Sequence, residues 1–226
     1  MKISIIIPAY NEENSIKQIV KEILAVDINK EIIIVDDGST DNTPKIIEEE
    51  INGDNIIKLY HSKNLGKGAA IRTGITAVRG DIVIIQDADR EYDPRDYPKL
   101  IQPIVEDRCD VVYGSRFLGV QSAMFFWHYM GNKLLTLVTN ILYNTLISDM
   151  ETGYKVFKTE VIKSINIKSN RFNFEPEITA KLLKRKFKIQ QVPITYTGRT
   201  YEEGKKITWR DGIVALWTLF KYRFME

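Results

Sequence analysis

Residues 81–94 read DIVIIQDADREYDP and contain the feature that best indicates the fold. An uninterrupted apolar run, from Ile82 to Ile85, is followed after Gln86 by acidic residues at alternate positions. A short, continuous apolar run is typical of a strand that is buried on both faces, as in parallel sheets. Carboxylates so close to one another repel unless a positive charge lies among them. The stretch therefore predicts a buried strand whose end holds a cation.

The rest of the first half alternates similar apolar runs with longer helical patterns. The strand-like runs are ISIII, EIIIVDD, IIKLYH and DIVIIQD. This alternation predicts an α/β fold with a mostly parallel central sheet flanked by helices. Ligands of such sheets bind at the carboxyl ends of the strands. Segments 8–12, 36–41 and 87–93 each follow a predicted strand, so we expect their polar side chains to meet at one edge.

The second half contains further predicted strands in DVVYGSRF, GYKVFK and KIQQVPITY and a predicted helix in FEPEITAKLLKRKF. Residues 124–147 combine a Leu-rich helical pattern with several aromatic residues, among them Phe125, Phe126, Trp127 and Tyr129. This segment is either a core helix or an amphipathic surface that lies on lipid. We expect one domain over residues 1–226, with halves at about 1–115 and 116–208 and an amphipathic helix over 209–226.

The composition, 44% hydrophobic and 27% charged, is that of an ordinary globular protein. Residues 181–226 hold 11 Lys and Arg against 4 Asp and Glu, which suits an anionic partner. The single cysteine, Cys109, excludes an intramolecular disulfide, and the first apolar run is too short for a signal peptide. No stretch approaches the about 20 apolar residues of a membrane span. These features predict a cytoplasmic protein whose contact with a membrane, if any, is peripheral.

Two consecutive carboxylates, Asp36 and Asp37, end the second predicted strand. Gly38 permits a turn, and Ser39 or Asp41 could cap the next helix, which explains most of VDDGSTDNT as a strand-to-helix turn. That explanation does not require two carboxylates at the strand end. They suit a ligand that offers base or ribose donors.

Asp87 and Asp89 are separated by one residue at a strand end, so both can reach one cation. Mg²⁺ or Mn²⁺ typically binds one or two carboxylates together with substrate phosphates. A solvated acidic turn is the alternative, and it fits Asp93 before Pro94 better than it fits Asp87. The pattern favours a divalent cation at this strand end.

Several segments of the chain together resemble a known family. The segments PAYNEE, VDDGSTDNT, NLGKGAAIRTG, QDADREYDP, GSRF, DMETGYKVFK, FEPEITAKL and VPITYTGRTYEEGKK resemble the family 2 inverting glycosyltransferases of GT-A fold. Within that family the chain is most similar to the polyprenyl-phosphate sugar synthases, the group of dolichyl-phosphate mannose synthase. The resemblance implies transfer of a hexose from a UDP or GDP sugar to dolichyl or undecaprenyl phosphate. It assigns the first half to the nucleotide sugar and the second to the acceptor, with no nucleic-acid partner.

The resemblance also implies which residues bind the donor and the metal. It places Pro8, Ala9, Tyr10 and Glu12 around the nucleotide and Asp37 on the base or ribose. The other donor-side residues that it implies are Gly66, Lys67, Asp87, Ala88 and Lys205. It assigns Mg²⁺ or Mn²⁺ to Asp87, Asp89 and Glu91. Glu91 departs from the Gln that is frequent at this position, and Arg90 stands where a neutral residue is common.

The resemblance implies that the catalytic residues are Asp89, Arg116, Asp149 and Arg199. Arg116 matches the arginine that the resemblance assigns to the phosphate of the lipid acceptor. Arginine suits this role because its planar guanidinium binds phosphate oxygens in pairs. A pair with Asp110 or another surface acid is the alternative. Arg199 and Lys205 match a loop that closes over the diphosphate.

Two roles remain open for Asp149. An acceptor hydroxyl would need a general base, and Asp149 is the candidate. A phosphomonoester, whose second pKa is about 6, is already ionised near neutral pH and needs cations rather than a base. The neighbouring cations Arg116, Arg199 and Lys205 favour the second role, in which Asp149 shapes the pocket. A non-catalytic sugar-nucleotide-binding protein is a third hypothesis, and the intact DAD motif opposes it.

For the two histidines and the apolar helical segments, we expect roles in structure or association. His61 and His128 lack metal-ligand spacing, so a structural or surface role is predicted for both. The aromatic segment and the C-terminal helix could dock on anionic lipid or bury their apolar faces in a homodimer.

Overall fold

The computed structural model describes residues 1–119, 125–198 and 209–225. The strands in these ranges are β1 (Ile3–Ala9), β2 (Lys30–Asp36), β3 (Ile56–Tyr60), β4 (Ile82–Ile85), β5 (Val111–Ser115), β6 (Lys155–Lys158) and β7 (Ile189–Pro193). The helices are α1 (Ile16–Ala25), α2 (Thr43–Glu50), α3 (Lys67–Thr76), α4 (Tyr97–Val105), α5 (Phe126–Tyr143), α6 (Thr159–Ser164), α7 (Phe174–Lys184) and α8 (Trp209–Phe224). Each strand and helix predicted from the sequence is present, whereas α4 and α6 were not predicted.

All of these strands belong to one sheet with the order β3-β2-β1-β4-β6-β5-β7. β1 pairs in parallel with β2 and β4, and β2 pairs in parallel with β3. β6 runs antiparallel between β4 and β5, and β7 lies parallel to β5. The predicted α/β fold with a mostly parallel sheet is therefore confirmed. Since β1, β2 and β4 run in the same direction, the polar segments that follow them emerge at the same edge.

Apolar side chains cover both faces of the sheet, which explains the uninterrupted apolar runs in the sequence. In β1, Ile5 and Ile7 belong to one buried cluster and Ile6 to a second cluster. In β4, Ile84 belongs to the first cluster and Val83 to the second. Full burial of such a side chain contributes about 1.5–3 kcal/mol relative to exposure. The strands are thus held firmly between two cores, and the residues just beyond their ends are held with them.

A third, smaller cluster joins α5 to α8. Leu135 and Met150 pack with Ala215 and Leu219, and the Tyr143 hydroxyl donates to the Leu219 carbonyl at 2.7 Å. The segment that was predicted as either core or surface is both, because α5 also carries a row of exposed apolar residues. These are Phe126, Trp127, Met130, Leu134, Leu137 and Ile141. Within the described ranges, no helix has the length and apolar character needed to cross a membrane.

Candidate active site

The loops after β1 and β2 are joined by hydrogen bonds at the carboxyl edge of the sheet. The Asn11 amide donates to the Ser39 hydroxyl at 2.9 Å, and the Asn11 side-chain oxygen accepts from the Thr40 amide at 2.8 Å. The Glu12 amide donates to the Thr43 hydroxyl at 2.8 Å. The first two polar segments therefore meet at this edge, as the sequence predicts.

Four residues that the resemblance assigns to the nucleotide lie at or just after the end of β1. Pro8 and Ala9 are the last residues of the strand, and Ala9 is buried. Tyr10 lines a cavity beside the end of β2. The Glu12 carboxylate accepts from the Ser15 hydroxyl at 2.7 Å and so supports the start of α1.

The cavity beside β2 encloses about 480 Å³. Its lining includes Tyr10, Asp36, Gly38, Tyr60 and His61. Asp36 is buried; its Oδ2 accepts from the Ser39 amide at 3.2 Å, whereas its Oδ1 is enclosed and accepts no hydrogen bond from the described residues. Leaving such an acceptor unsatisfied costs about 1–3 kcal/mol. Asp36 thus lines the cavity and keeps a buried acceptor that the described residues do not use.

The second carboxylate of the pair, Asp37, is occupied by groups of the protein. Its Oδ1 lies 2.9 Å from the Leu65 amide and 2.7 Å from His61 Nδ1, and its Oδ2 accepts from the Gly66 amide at 2.7 Å. The resemblance assigned the base or ribose contact to Asp37. In the structure Asp37 holds the loop before α3, whereas Asp36, to which the resemblance assigned no role, lines the cavity.

Both histidines have contacts that agree with the structural or surface role predicted for them. His61 is held at both ring nitrogens, since Nε2 lies 2.9 Å from the Thr73 hydroxyl in addition to the contact with Asp37. The ring of His128 lies 5.7 Å from that of Phe125. His61 thus lines the cavity and fixes the orientation of Asp37.

Asp87, the first carboxylate of the DAD motif, forms an ion pair with Lys67. The Lys67 ammonium lies 2.8 Å from Asp87 Oδ1 and 2.9 Å from Glu175 Oε1. Burial opposes the charge, but the two carboxylates raise the pKa of Lys67 well above its ordinary value. The other Asp87 oxygen faces Gly153, where an added Cβ would lie 2.3 Å from Oδ2. The start of α3, the end of β4, the loop before β6 and α7 therefore converge on Asp87.

Asp89 and Glu91 are held differently. Asp89 Oδ1 accepts from the Glu91 amide at 3.1 Å. Glu91 Oε2 accepts from the Tyr196 hydroxyl at 2.9 Å, beyond the end of β7. Arg90 adopts a left-handed backbone conformation and pairs with Glu22 of α1 at 2.9 Å. The guanidinium of Arg90 therefore lies against α1.

Asp87, Asp89 and Glu91 are expected to hold a metal together, and this assignment stays a prediction. Within the described parts of the chain, no three His, Cys, Asp or Glu side chains form a ready-made metal site. Asp87 is paired with Lys67, and Glu91 accepts from the Tyr196 hydroxyl. Asp87 and Asp89 nevertheless supply only oxygen donors, the type that Mg²⁺ and Mn²⁺ prefer, so these two residues fit a divalent ion that keeps water or phosphate ligands.

Asp93 belongs to the turn that follows, as the sequence predicts. Its Oδ1 accepts from the Arg95 amide at 2.9 Å, and its carboxylate also pairs with the Arg95 side chain. These hydrogen bonds lower the pKa of Asp93. Asp93 thus stabilises the short 3₁₀ turn before α4.

Arg116 and Asp149, both assigned to catalysis, form a buried pair with each other. Arg116 Nε and Nη2 each donate to the Asp149 carboxylate at 2.8 Å, and the Arg116 amide donates to it at 3.0 Å. Although burial opposes its charge, Asp149 raises the pKa of Arg116 further above its ordinary value. Asp110, the alternative partner, accepts from the Lys188 amide at 2.9 Å instead. Within the described residues Arg116 Nη1 donates to no acceptor, so one edge of the guanidinium is available for an anion.

Aromatic residues connect the DAD motif to Arg116. The ring of Tyr92 stacks on Tyr154 at 4.7 Å and lies 5.5 Å from that of Tyr196. The guanidinium carbon of Arg116 lies 5.3 Å from the centre of the Tyr196 ring. Sequence reasoning did not identify these tyrosines, because they are separated along the chain and only the sheet brings them together.

Three buried charged groups were also missed. Lys155 donates to the Met150 carbonyl at 2.9 Å, and burial lowers its pKa to about 8. Burial and the charge of Glu175 raise the pKa of Glu151 to about 8. Glu151 Oε1 and Glu175 Oε2 are both enclosed without a hydrogen-bond partner in the structure. For Glu175 the sequence did carry a signal, because FEPEITAK places two acidic residues in a predicted helix among apolar ones.

Replacing Glu151 by glutamine is expected to stabilise the protein at pH 8 but hardly at pH 5. The pKa of Glu151 is raised from 4.5 to about 8 in the folded state. The wild-type protein must therefore keep a proton that the unfolded chain releases, so its stability falls as the pH rises from about 5 to about 8. The amide carries no such proton, so the gain in the free energy of unfolding is expected to grow as the pH rises from 5 to 8. Urea unfolding at several pH values measures this, and a gain independent of pH would contradict it.

The remaining expected site residues fall into two groups. Arg199 and Lys205 lie outside the described residues. Gly66 and Ala88 are described: Ala88 is buried in the DAD motif, and Gly66 adopts a φ of 102°. A Cβ on Gly66 would lie 2.3 Å from the Asn170 carbonyl, so only glycine permits this approach to the start of α3.

A mostly parallel sheet with the acidic DAD motif and an Asp36-lined cavity at its carboxyl edge is the arrangement expected of a glycosyltransferase of GT-A fold. The chain matches the model of Glycosyl transferase family 2 over residues 4–165 and belongs to that family. It is therefore an enzyme of the transferase class.

Several relatives named as transferases cover most of the chain. UDP-N-acetylglucosamine–dolichyl-phosphate N-acetylglucosaminyltransferase of Methanococcus voltae is 33% identical over 227 residues, which cover 91% of this chain and 90% of the relative. Low-salt glycan biosynthesis hexosyltransferase Agl6 of Haloferax volcanii is 32% identical and covers 88% of this chain and 49% of its own. Undecaprenyl-phosphate 4-deoxy-4-formamido-L-arabinose transferase of Proteus mirabilis is 28% identical and covers 90% of this chain and 62% of its own. The predicted similarity to polyprenyl-phosphate sugar transferases is confirmed.

The fold is also similar to solved structures. Glucosyl-3-phosphoglycerate synthase from Mycobacterium tuberculosis, in complex with Mn²⁺, UDP and glucosyl-3-phosphoglycerate, superposes with a TM-score of 0.77 at 20% identity. The match covers 100% of this chain and 81% of the synthase. The same enzyme in complex with Mg²⁺ and UDP gives a TM-score of 0.74, covering 100% of this chain and 80% of the synthase, at 20% identity. At this level of identity the similarity establishes the GT-A fold.

Proposed function

We propose that this protein is a metal-dependent, inverting hexosyltransferase that moves a sugar from a nucleoside-diphosphate donor to a polyprenyl phosphate. The observation that carries the proposal is the buried Arg116–Asp149 pair. Asp149 accepts three hydrogen bonds from Arg116 and is fully enclosed, so it is poorly suited to removing a proton from an acceptor hydroxyl. A phosphate acceptor needs no such removal near neutral pH, because its second pKa is about 6.

Arg116 is suited to holding that phosphate. Asp149 fixes two guanidinium nitrogens, and the Tyr196 ring covers one face of the group. The remaining edge, at Nη1, can donate to a phosphate oxygen in a defined direction. The role of Asp149 is then to position Arg116, which agrees with the pocket-shaping role that the sequence favoured.

On the donor side, the cavity at Asp36 suits the nucleoside. Asp36 Oδ1 can accept from a base N–H or a ribose hydroxyl, and Tyr10 and Gly38 line the same space. UDP is the better supported donor, because the relative from Methanococcus voltae is named for a UDP sugar and the solved neighbours contain UDP. The sequence alone left UDP and GDP open.

We place the diphosphate of the donor between this cavity and the DAD motif. Asp87 and Asp89 would hold Mg²⁺ or Mn²⁺, which supplies Lewis-acid stabilisation of the departing diphosphate. Lys67 lies beside Asp87 and brings an ammonium to the same place. Arg199 and Lys205 are proposed to add positive charge from the loop before α8.

Transfer to lipid is tested directly with the purified protein. It is incubated with Mn²⁺ or Mg²⁺, a panel of labelled UDP and GDP sugars, and undecaprenyl or dolichyl phosphate, and the organic phase is extracted. Label in a mild-acid-labile lipid is the expected result and identifies the sugar at the same time. Transfer to a soluble saccharide without a lipid product would refute the proposal and would favour a glycan hydroxyl as acceptor with Asp149 as its base.

We further propose that α5 and α8 rest on an anionic membrane surface, where a polyprenyl phosphate would be found. Both helices expose aromatic residues; Trp127 on α5 is 80% exposed and Trp217 on α8 is 66% exposed. Basic residues accompany them on α8, including exposed Lys221 and Arg223. Apolar side chains flanked by basic residues are typical of surfaces that bind anionic lipid.

The double substitution Trp127→Ala and Trp217→Ala is expected to lower co-flotation with phosphatidylglycerol liposomes by about tenfold at low salt. The matched control, Leu24→Ala with Val105→Ala, removes exposed apolar side chains from α1 and α4 and should float like the wild type. Wild-type protein that stays at the bottom of the gradient would contradict the proposal. If it also sediments as a dimer, these helices form a homodimer interface instead.

A further inference from the structure

Lys67 joins the DAD motif to α7. Its ammonium is shared between Asp87 Oδ1 at 2.8 Å and Glu175 Oε1 at 2.9 Å. All three side chains are largely buried, with exposed fractions of 15%, 19% and 6%. Because the Lys67 ammonium contacts both carboxylates, it could leave one of them and still be paired with the other.

The two glutamates at the start of α7 are held in different ways. Glu177 is fully engaged: it pairs with Lys181 at 2.6 Å and accepts from the amides of Lys168 and Ser169. Glu175 contacts Lys67 through Oε1, while its Oε2 is enclosed and has no hydrogen-bond partner among the described residues. Glu177 therefore stabilises the loop before α7, whereas Glu175 keeps an acceptor that the fold does not use.

A divalent ion and the Lys67 ammonium compete for Asp87. A divalent ion at Asp87 and an ammonium on the same carboxylate would repel each other strongly, because a partly buried site screens charges less than water does. Binding of the ion would therefore have to move the ammonium away from Asp87. Glu175 is already in contact with it and has a second oxygen to offer.

We infer that Glu175 is a positioning residue that receives the Lys67 ammonium when a divalent cation binds at Asp87. The inference rests on the metal dependence proposed above. With Glu175 present, the ammonium moves a short distance and stays beside the place proposed for the diphosphate. Without Glu175, the ion would have to displace an ammonium that has no other described carboxylate in contact, and metal binding would weaken.

The affinity for Mn²⁺, measured by electron paramagnetic resonance without any donor, tests this independently of activity. Glu175→Gln is expected to weaken Mn²⁺ binding about tenfold, and Lys67→Gln to strengthen it, because the competing ammonium is gone. In the Lys67→Gln background the further change Glu175→Gln should alter the affinity less than about twofold. Thermal unfolding monitors whether each variant is folded.

If Glu175→Gln weakened Mn²⁺ binding equally in the wild type and in the Lys67→Gln variant, Glu175 would act only through its own charge, and the inference would be overturned. So would a Mn²⁺-bound crystal structure of the wild type in which Lys67 still contacts Asp87. If the wild type bound no Mn²⁺ at all, the proposed metal dependence would fail as well. If Mn²⁺ binds but Glu175→Gln leaves its affinity unchanged, only the role of Glu175 is wrong.

Discussion

Replacing Arg116 by alanine is expected to lower kcat/KM for transfer to polyprenyl phosphate by about 10²–10³-fold. Losing one well-placed donor to a developing or bound anion in an active site costs about this much. The substitution also leaves the Asp149 carboxylate buried without its partner, which costs about 3–5 kcal/mol of stability. Activity is therefore compared well below the unfolding temperature of the variant, with labelled lipid in the organic phase as the readout.

Two further variants separate phosphate binding from base catalysis. Arg116→Lys keeps a charge but loses the paired geometry with Asp149, so it should lose most of the activity while destabilising the protein less. Asp149→Asn keeps the shape of the partner and should reduce activity less than Arg116→Ala does. The opposite order, with Asp149→Asn nearly inactive and Arg116→Lys active, would identify Asp149 as a general base and a hydroxyl as the acceptor.

Asp89→Ala is expected to reduce metal-dependent transfer by about 10³-fold, because a bound ion contributes several kcal/mol to the stabilisation of the leaving diphosphate. The loss should persist at saturating Mn²⁺ if Asp89 is a ligand needed for the productive geometry. The measurement is the initial rate of lipid glycosylation as a function of Mn²⁺ concentration for the wild type and the variant.

Asp93→Asn is the matched control, since it removes a carboxylate charge from the same segment. Asp93 is engaged by Arg95 in the turn before α4, so its loss should change the rate less than about twofold and act on stability instead. An Asp89→Ala enzyme with full metal-dependent transfer would show that the DAD motif does not act through a metal.

Much of the fold follows from local pattern. The runs around Ile5, Ile33 and Ile84 are continuous and apolar because both faces of each strand are covered, and this pattern is visible in the sequence. Helix α4 was missed because YPKLIQPIV contains Pro98 and Pro103, which weaken a helical pattern. The antiparallel direction of β6 was also not predicted, since strand order and direction depend on contacts between distant segments.

The candidate site was also predicted only in part from the sequence. The motif segments predicted the edge of the sheet where Asp36, Asp87 and Asp89 lie, because each follows a recognisable strand. The sequence could not show that Asp37 holds the loop before α3 while Asp36 lines the cavity. Consecutive residues of a strand point to opposite sides, and which side faces the ligand depends on the packing around the strand.

The sequence by itself determined the family, the parallel sheet and the polar segments at its carboxyl edge, because these depend on short-range periodicity and motifs. The tertiary structure decided which polar side chains pair: Arg116 with Asp149, separated by 33 residues, and Glu91 with the Tyr196 hydroxyl, separated by 105 residues. It also brought Lys67 between Asp87 and Glu175. Such pairings depend on through-space distance and burial, and the order of residues along the chain specifies these only once the sheet has formed.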